Sequence, residues 1–225
     1  MSLQREQIEI NKLDCVVLEP ASKATHAVIW LHGLGADAND FIPLVKELRL
    51  PDTIRFIFPN APVMPVSINQ GYPMPAWFDI YCDRIISKID DNGILKSTVT
   101  IQGLIDGEIQ RGIPANKIIL AGFSQGALIA MTAGLNYPET IGGVIALSGY
   151  LPIDCLTPPN DTRQTPVFIA HGTQDNVVPF SLGETSYQLL KTHGYPVDWH
   201  SYPMTHTVCS EEVVDISQCM QKIIM

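Results

Sequence analysis

The stretch "ILAGFSQGALIA", residues 119–130, sets a serine between two glycines where one apolar pattern gives way to another. Upstream, "KIILAGF" (117–123) is a continuous apolar run of strand length, and downstream "QGALIAMTAGL" reads as a buried helix. A strand that turns directly into a helix brings two backbones close together. That leaves no room for a Cβ at Gly122 or Gly126, while Ser124 is pushed out over the end of the sheet. The helix begins immediately behind the serine, so its first N–H groups and partial positive charge face whatever forms on the hydroxyl. The pattern G-x-S-x-G alone decides little, because at ordinary glycine and serine frequencies about 0.08 matches arise by chance in a chain of this length. The surrounding strand and helix give it weight.

Outward from this turn, apolar runs recur at 26–33, 54–59, 117–123, 143–149, 166–172 and 196–203. Helix-like stretches alternate with them at 40–48, 92–112, 124–137, 180–193 and 209–224. In the longest of these, Ile94, Ile101, Leu104, Ile105 and Ile109 share one face. Nearly continuous apolar strands need cover on both faces, so the alternation predicts a mostly parallel, doubly wound α/β sheet. The opening "QIEINKLDCVVLEP" reads as an antiparallel strand pair at one edge. One domain spanning 1–225 is expected, and residues 59–77 and 150–166, both rich in proline, fit neither period. Loops this long in a compact fold are often lids or binding loops.

Composition removes several functions. With 14 Lys and Arg against 23 Asp and Glu, the net charge is −9, and such a field repels nucleic acid and anionic lipid. No apolar run reaches the roughly 18–20 residues that span a bilayer, and the opening residues lack the basic and apolar regions of a signal peptide. Cys15, Cys82, Cys155, Cys209 and Cys219 are odd in number and scattered, with no CxxC. They fit reduced thiols in a cytosolic protein rather than a disulfide framework or zinc site.

A serine hydroxyl is a poor nucleophile until a base takes its proton, and the base needs a carboxylate to fix its tautomer. In doubly wound hydrolases these partners follow in the order Ser, acid, His, on loops at the C-terminal ends of strands. Among Asp154, Asp161, Asp175 and Asp198, only Asp175 follows directly on a strong strand, in "PVFIAHGTQDNVVP". Of the histidines beyond it, His193 ends a predicted helix and His200 lies inside a strand. His206, in "YPMTHTVCSEE", sits between the last strand and the last helix. Acyl transfer also needs donors for a developing oxyanion. The backbone N–H of Gln125 is one, and "LHGLGADANDF" offers that of Leu34 between two glycines.

The segments "VIWLHGLGAD", "FIFPNAPVMPV", "MPAWFDI", "NKIILAGFSQG", "IALSGYLP", "HGTQDNVVP" and "YPMTHTV" together resemble the acyl-protein thioesterase and carboxylesterase group of α/β-hydrolases, also called phospholipase/carboxylesterases. The resemblance runs from about residue 26 to 208. It implies a nucleophile at Ser124, a base at His206, an orienting acid at Asp175 and oxyanion donors at Leu34 and Gln125. It also implies hydrolysis of carboxylic esters and thioesters, including S-acyl groups on proteins, without metal or organic cofactor. Two positions depart from the pattern: Ala127 stands where many members have a second glycine, and Tyr150 where some have tryptophan. Residues 59–77 are similar to the family's flap over an acyl channel, which would set Met74, Trp77 and Phe78 beside substrate, with Tyr150 in a wall near the acyl pocket. An apolar flap also offers a surface for homodimer contact or transient membrane approach. Two rival readings share these residues: a lysophospholipase or small-ester esterase without protein substrates, and a non-catalytic α/β-hydrolase that only binds a ligand.

Overall fold

The apolar runs become the strands of one eight-stranded sheet in a computed structural model that describes residues 3–81, 88–159 and 162–224. Cys82 lies outside the described residues. The chain begins with β1 (Gln4–Ile10) and β2 (Leu13–Glu19), an antiparallel pair joined by Asn11 and Lys12, both at positive φ. Such a turn matches the twist of a hairpin. There follow β3 (His26–Leu31), α1 (Leu44–Glu47), β4 (Ile54–Pro59), β5 (Val63–Val66), β6 (Tyr72–Pro75) and α2 (Asp91–Gln110). The second half contains β7 (Ile118–Phe123), α3 (Gln125–Leu135), β8 (Gly143–Leu147), β9 (Val167–Gly172), α4 (Phe180–Thr192), β10 (Val197–Tyr202) and α5 (Ser210–Ile224).

Spatial order in the sheet is β1-β2-β4-β3-β7-β8-β9-β10. Strands β4 to β10 in that order are parallel, and β2 pairs antiparallel with β4. Alternate strand residues feed two cores. Ile118 and Leu120 face α2, α3 and α4, whereas Ile119 and Ala121 face α1 and α5. All eleven residues of α3 are buried, as expected of a helix that is apolar on every side.

The predicted helix at 40–48 shrinks to the single turn of α1. Leu44 and Val45 donate to carbonyls three residues back, at Phe41 and Ile42, and Pro43 has no N–H with which to continue an α-helical ladder. Residues 59–77, unassigned from sequence, contain the hairpin of β5 and β6, with Met64 opposite Met74 and Pro65 opposite Pro73. An isolated two-stranded ribbon leaves outward positions unpaired, so proline is tolerated there. Its tip turns through Gln70 and Gly71, both at positive φ, and is tied down by Asp79, which accepts from the Ser67 N–H at 2.7 Å and its hydroxyl at 2.5 Å.

Glycine sets how closely β7, α3 and β3 pack. A Cβ on Gly122 would lie 2.2 Å from the Gly126 carbonyl oxygen, and one on Gly126 would lie 2.5 Å from that of Leu31. Backbone cannot give way at those distances without moving a strand. Gly126→Ala is therefore expected to cost about 2–3 kcal/mol and to lower the thermal midpoint by about 5 °C or more, measured by circular dichroism. A variant that melts with the wild type would mean that the crossing is loosely packed.

Glu212, in the first turn of α5, is fully buried. Burial pushes its carboxyl up to about 8, the Cys209 backbone pulling only part of the way back and Asp215 adding to the rise. Between its ordinary range near 4.5 and about 8 the folded chain holds a proton that the unfolded chain has lost. Stability therefore falls as pH rises through that window, by up to about 1.4 kcal/mol per unit. Glu212→Gln removes this dependence. Its midpoint is expected to gain on the wild type by about 5 °C or more between pH 5 and pH 8.5, and parallel midpoints across that range would refute the assignment.

Candidate active site

Ser124 occupies the turn between β7 and α3 with φ +54° and ψ −118°, a strained conformation for a residue with a Cβ. Its N–H is held by the Leu147 carbonyl at 2.8 Å, and its carbonyl accepts from Ala127 at 3.0 Å. Gln125 is the first residue of α3, where the helix offers its N–H no carbonyl.

Asp175 and His206 stand on neighbouring loops beyond β9 and β10. The Thr173 and Gln174 N–H groups donate to the carbonyls of Tyr202 and Met204, extending the sheet pairing past the ends of the strands. Gly172 makes this possible, since a Cβ there would meet the Met204 and Thr205 carbonyl oxygens at 2.3 and 2.4 Å. His206 Nδ1 lies 2.7 Å from Asp175 Oδ2. The other Asp175 oxygen accepts from the N–H groups of Val177 and Val178 at 2.8 and 2.9 Å. With a carboxylate on Nδ1, that nitrogen carries the proton and Nε2 is left as the basic lone pair. The imidazole packs on Phe123, ring centres 4.7 Å apart.

Ser124, Leu34, Gln125 and His206 open onto one cavity of about 260 Å³. Phe78, Ile80, Tyr150 and Val178 give it a mainly apolar wall. Trp77 and Met74 do not line it. The Trp77 indole, nearly inaccessible, donates from Nε1 to the His32 carbonyl at 2.9 Å, and its ring borders a separate cavity between the hairpin and α2. Met74 lies beside the Leu34 turn, its sulfur accepting from Asn69.

That turn is anchored from two sides. Gly35, at φ +75°, donates to the Pro75 carbonyl at 2.9 Å, so the hairpin holds it. From below, buried His32 accepts the Ala61 N–H on Nε2 at 3.0 Å, which leaves Nδ1–H to donate to the Gly33 carbonyl at 2.7 Å. Burial lowers the affinity of His32 for a second proton. His171 does a similar service under the acid. It is wholly buried, its Nε2 is 2.9 Å from the Val178 carbonyl and 3.4 Å from Asp175 Oδ2, and burial again disfavours its charged form. Sequence reasoning passed over both histidines because they precede the chosen acid. The one available signal was their position, each at the end of an apolar strand just before a glycine. Among the described residues no group of three or more His, Cys, Asp or Glu side chains is placed to hold a metal ion.

Comparison with known proteins gives the family. Residues 13–224 match the phospholipase/carboxylesterase family. The chain is 38% identical over 221 residues to acyl-protein thioesterase 1 of Gibberella zeae, covering 92% of this chain and 94% of that one. It is 39% identical over 213 residues to the Yarrowia lipolytica protein of the same name, covering 89% and 94%. The crystal structure of Zea mays acyl-protein thioesterase 2 superposes with a TM-score of 0.82 at 28% identity, over 94% of this chain and 99% of that one. An α/β-hydrolase sheet bearing a strained serine elbow, together with a match across nearly its whole length, makes this chain a member of the phospholipase/carboxylesterase family.

Proposed function

We propose that the protein is a serine hydrolase that cleaves carboxylic esters and thioesters of acyl chains through an acyl-enzyme on Ser124. The observation that carries this reading is the arrangement at one cavity: a strained serine, a histidine with Nε2 left basic, and a buried carboxylate 2.7 Å from that histidine's Nδ1. His206 Nε2 takes the Ser124 hydroxyl proton as Oγ bonds to the acyl carbon. The carbonyl π pair moves onto oxygen, where the Leu34 and Gln125 N–H groups receive it. The pair returns as the bond to the leaving alcohol or thiol breaks, and the proton on His206 goes to that group. Water then repeats the sequence with His206 as base and releases the carboxylic acid. Asp175 stabilises the imidazolium formed in each half.

The apolar wall of Phe78, Ile80, Tyr150 and Val178 suits an acyl chain. A second cavity that also touches His206, lined by Phe41, Leu44, Glu47 and Val208, offers room for a leaving group. S-acylated proteins, the substrates named for the fungal relatives, are the substrate class we favour over lysophospholipids. On this reading one domain performs the reaction and 59–77 is its flap. Val63, Ile68 and Tyr72, exposed on that flap, are the surface available for dimer contact or transient membrane approach. Among the described residues no helix is long and apolar enough to cross a membrane. The free thiols of Cys15, Cys155, Cys209 and Cys219 support a reducing, cytosolic setting.

Ser124→Ala is expected to lower kcat on a medium-chain thioester by about 10⁴-fold or more, to abolish fluorophosphonate labelling and to leave the fold intact by circular dichroism. Near wild-type turnover in that variant would overturn the mechanism. An S-acylated peptide assayed beside a lysophospholipid of the same acyl length decides the substrate class. Faster turnover of the lysophospholipid would favour the rival reading.

A further inference from the structure

The Gln125 side chain is buried, and a buried amide needs partners for both its ends. Its Oε1 accepts from the Trp77 N–H at 2.8 Å, and its Nε2 donates to the Phe78 carbonyl at 2.7 Å. Trp77 and Phe78 are themselves buried and belong to no strand or helix, so sheet and helix ladders leave their polar groups unmet. Side chains meet them instead. Gln125 takes one group from each residue, the Ser97 hydroxyl donates to the Trp77 carbonyl, and Asp90 accepts from Asp79 next along the chain.

Phe78 lines the cavity at Ser124, and Trp77 reaches the carbonyl of His32, two residues before Leu34. One side chain, on the residue that follows the serine, thus ties the apolar wall and the Leu34 turn to the start of α3. Taking the proposed hydrolase reaction as given, we infer that the Gln125 amide is a positioning residue that sets acyl-chain selectivity by fixing the wall at Phe78. A short acyl group reaches little beyond the carbonyl-binding corner, whereas each further methylene gains from a wall held in place, by about fourfold in kcat/KM when fully packed. Releasing the wall should penalise long chains more than short ones.

The test is kcat/KM of the full chain across p-nitrophenyl esters from acetyl to decanoyl, read as the octanoyl-to-acetyl ratio. That ratio cancels the amount of active enzyme, so partial misfolding of a variant does not mimic the effect. Gln125→Ala is expected to lower acetyl ester turnover about threefold and the octanoyl-to-acetyl ratio about tenfold, the latter mostly through KM. Gln125→Glu, which keeps the acceptor for Trp77 and loses the donor for Phe78, should behave alike. Phe78→Ala should lower the ratio similarly, and the double variant Gln125→Ala/Phe78→Ala should fall little further, because the two act through one wall. A ratio unchanged in Gln125→Ala or Gln125→Glu, or losses that add fully in the double variant, would overturn the inference. Fluorophosphonate labelling of the wild type separates this from the parent reading. Absence of label removes the hydrolase itself, whereas normal labelling with an unchanged ratio removes only the role of the amide.

Discussion

The close approach of α3 to the ends of β3 and β7 is the constraint on which the site depends. With hydrogens in place of side chains at Gly122 and Gly126, the helix starts against the Leu31 and His32 carbonyls. The chain at Ser124 then has to reverse within one residue, and it does so in the left-handed region at φ +54°. Such strain persists only where surrounding bonds over-determine it. Here the Leu147 carbonyl holds the serine N–H, and the fully buried α3 fixes the backbone on the other side of the turn. The serine is presented to the cavity from a turn packed against β3, β7 and α3.

Around that point, each functional loop is fixed to its neighbour by backbone as well as side chain. The loops of Asp175 and His206 stay paired beyond their strands because Gly172 admits the facing backbone. The Leu34 turn is held by the Pro75 carbonyl from the hairpin and by His32 from below. In the proposed reaction, positioning of this kind would let one histidine serve both halves of the acyl transfer, since reacting groups need not search for one another.

Much of this was legible in the sequence, for definable reasons. Five of the six parallel strands announced themselves as apolar runs because both faces of the sheet are covered there, whereas β10, at the edge, exposes Asp198 and Ser201; the elbow announced itself through its glycines. Asp175 and His206, singled out for their places after strands, lie 2.7 Å apart in the structure. The features that stayed hidden depended on tertiary partners. The hairpin at 59–77 has prolines that obscure strand alternation, and α1 was overestimated because apolar spacing survives where Pro43 breaks the ladder. Arg55 sits within the apolar run of β4, fully buried, because Glu108 and Glu19 from other elements meet its guanidinium. Phe78 and Tyr150 reach the cavity wall, whereas Trp77 turns away because a buried indole N–H must find an acceptor and His32 supplies it.

The two extra histidines show why neutrality matters near this site. His32 and His171 each donate one ring N–H to a carbonyl, and burial disfavours a second proton on both. A serine or an amide could supply such a donor, but a lysine or arginine there would add a charge. At 3.4 Å from Asp175, a cation on His171 would compete for the same carboxylate oxygen that meets His206. In a low-dielectric interior that competition would weaken the support Asp175 gives to a developing imidazolium. A neutral imidazole holds the Val178 carbonyl, and so the turn whose N–H groups grip Asp175, without drawing on the carboxylate's charge. The full attraction of Asp175 is thereby left for His206, the histidine that becomes positive in the proposed reaction.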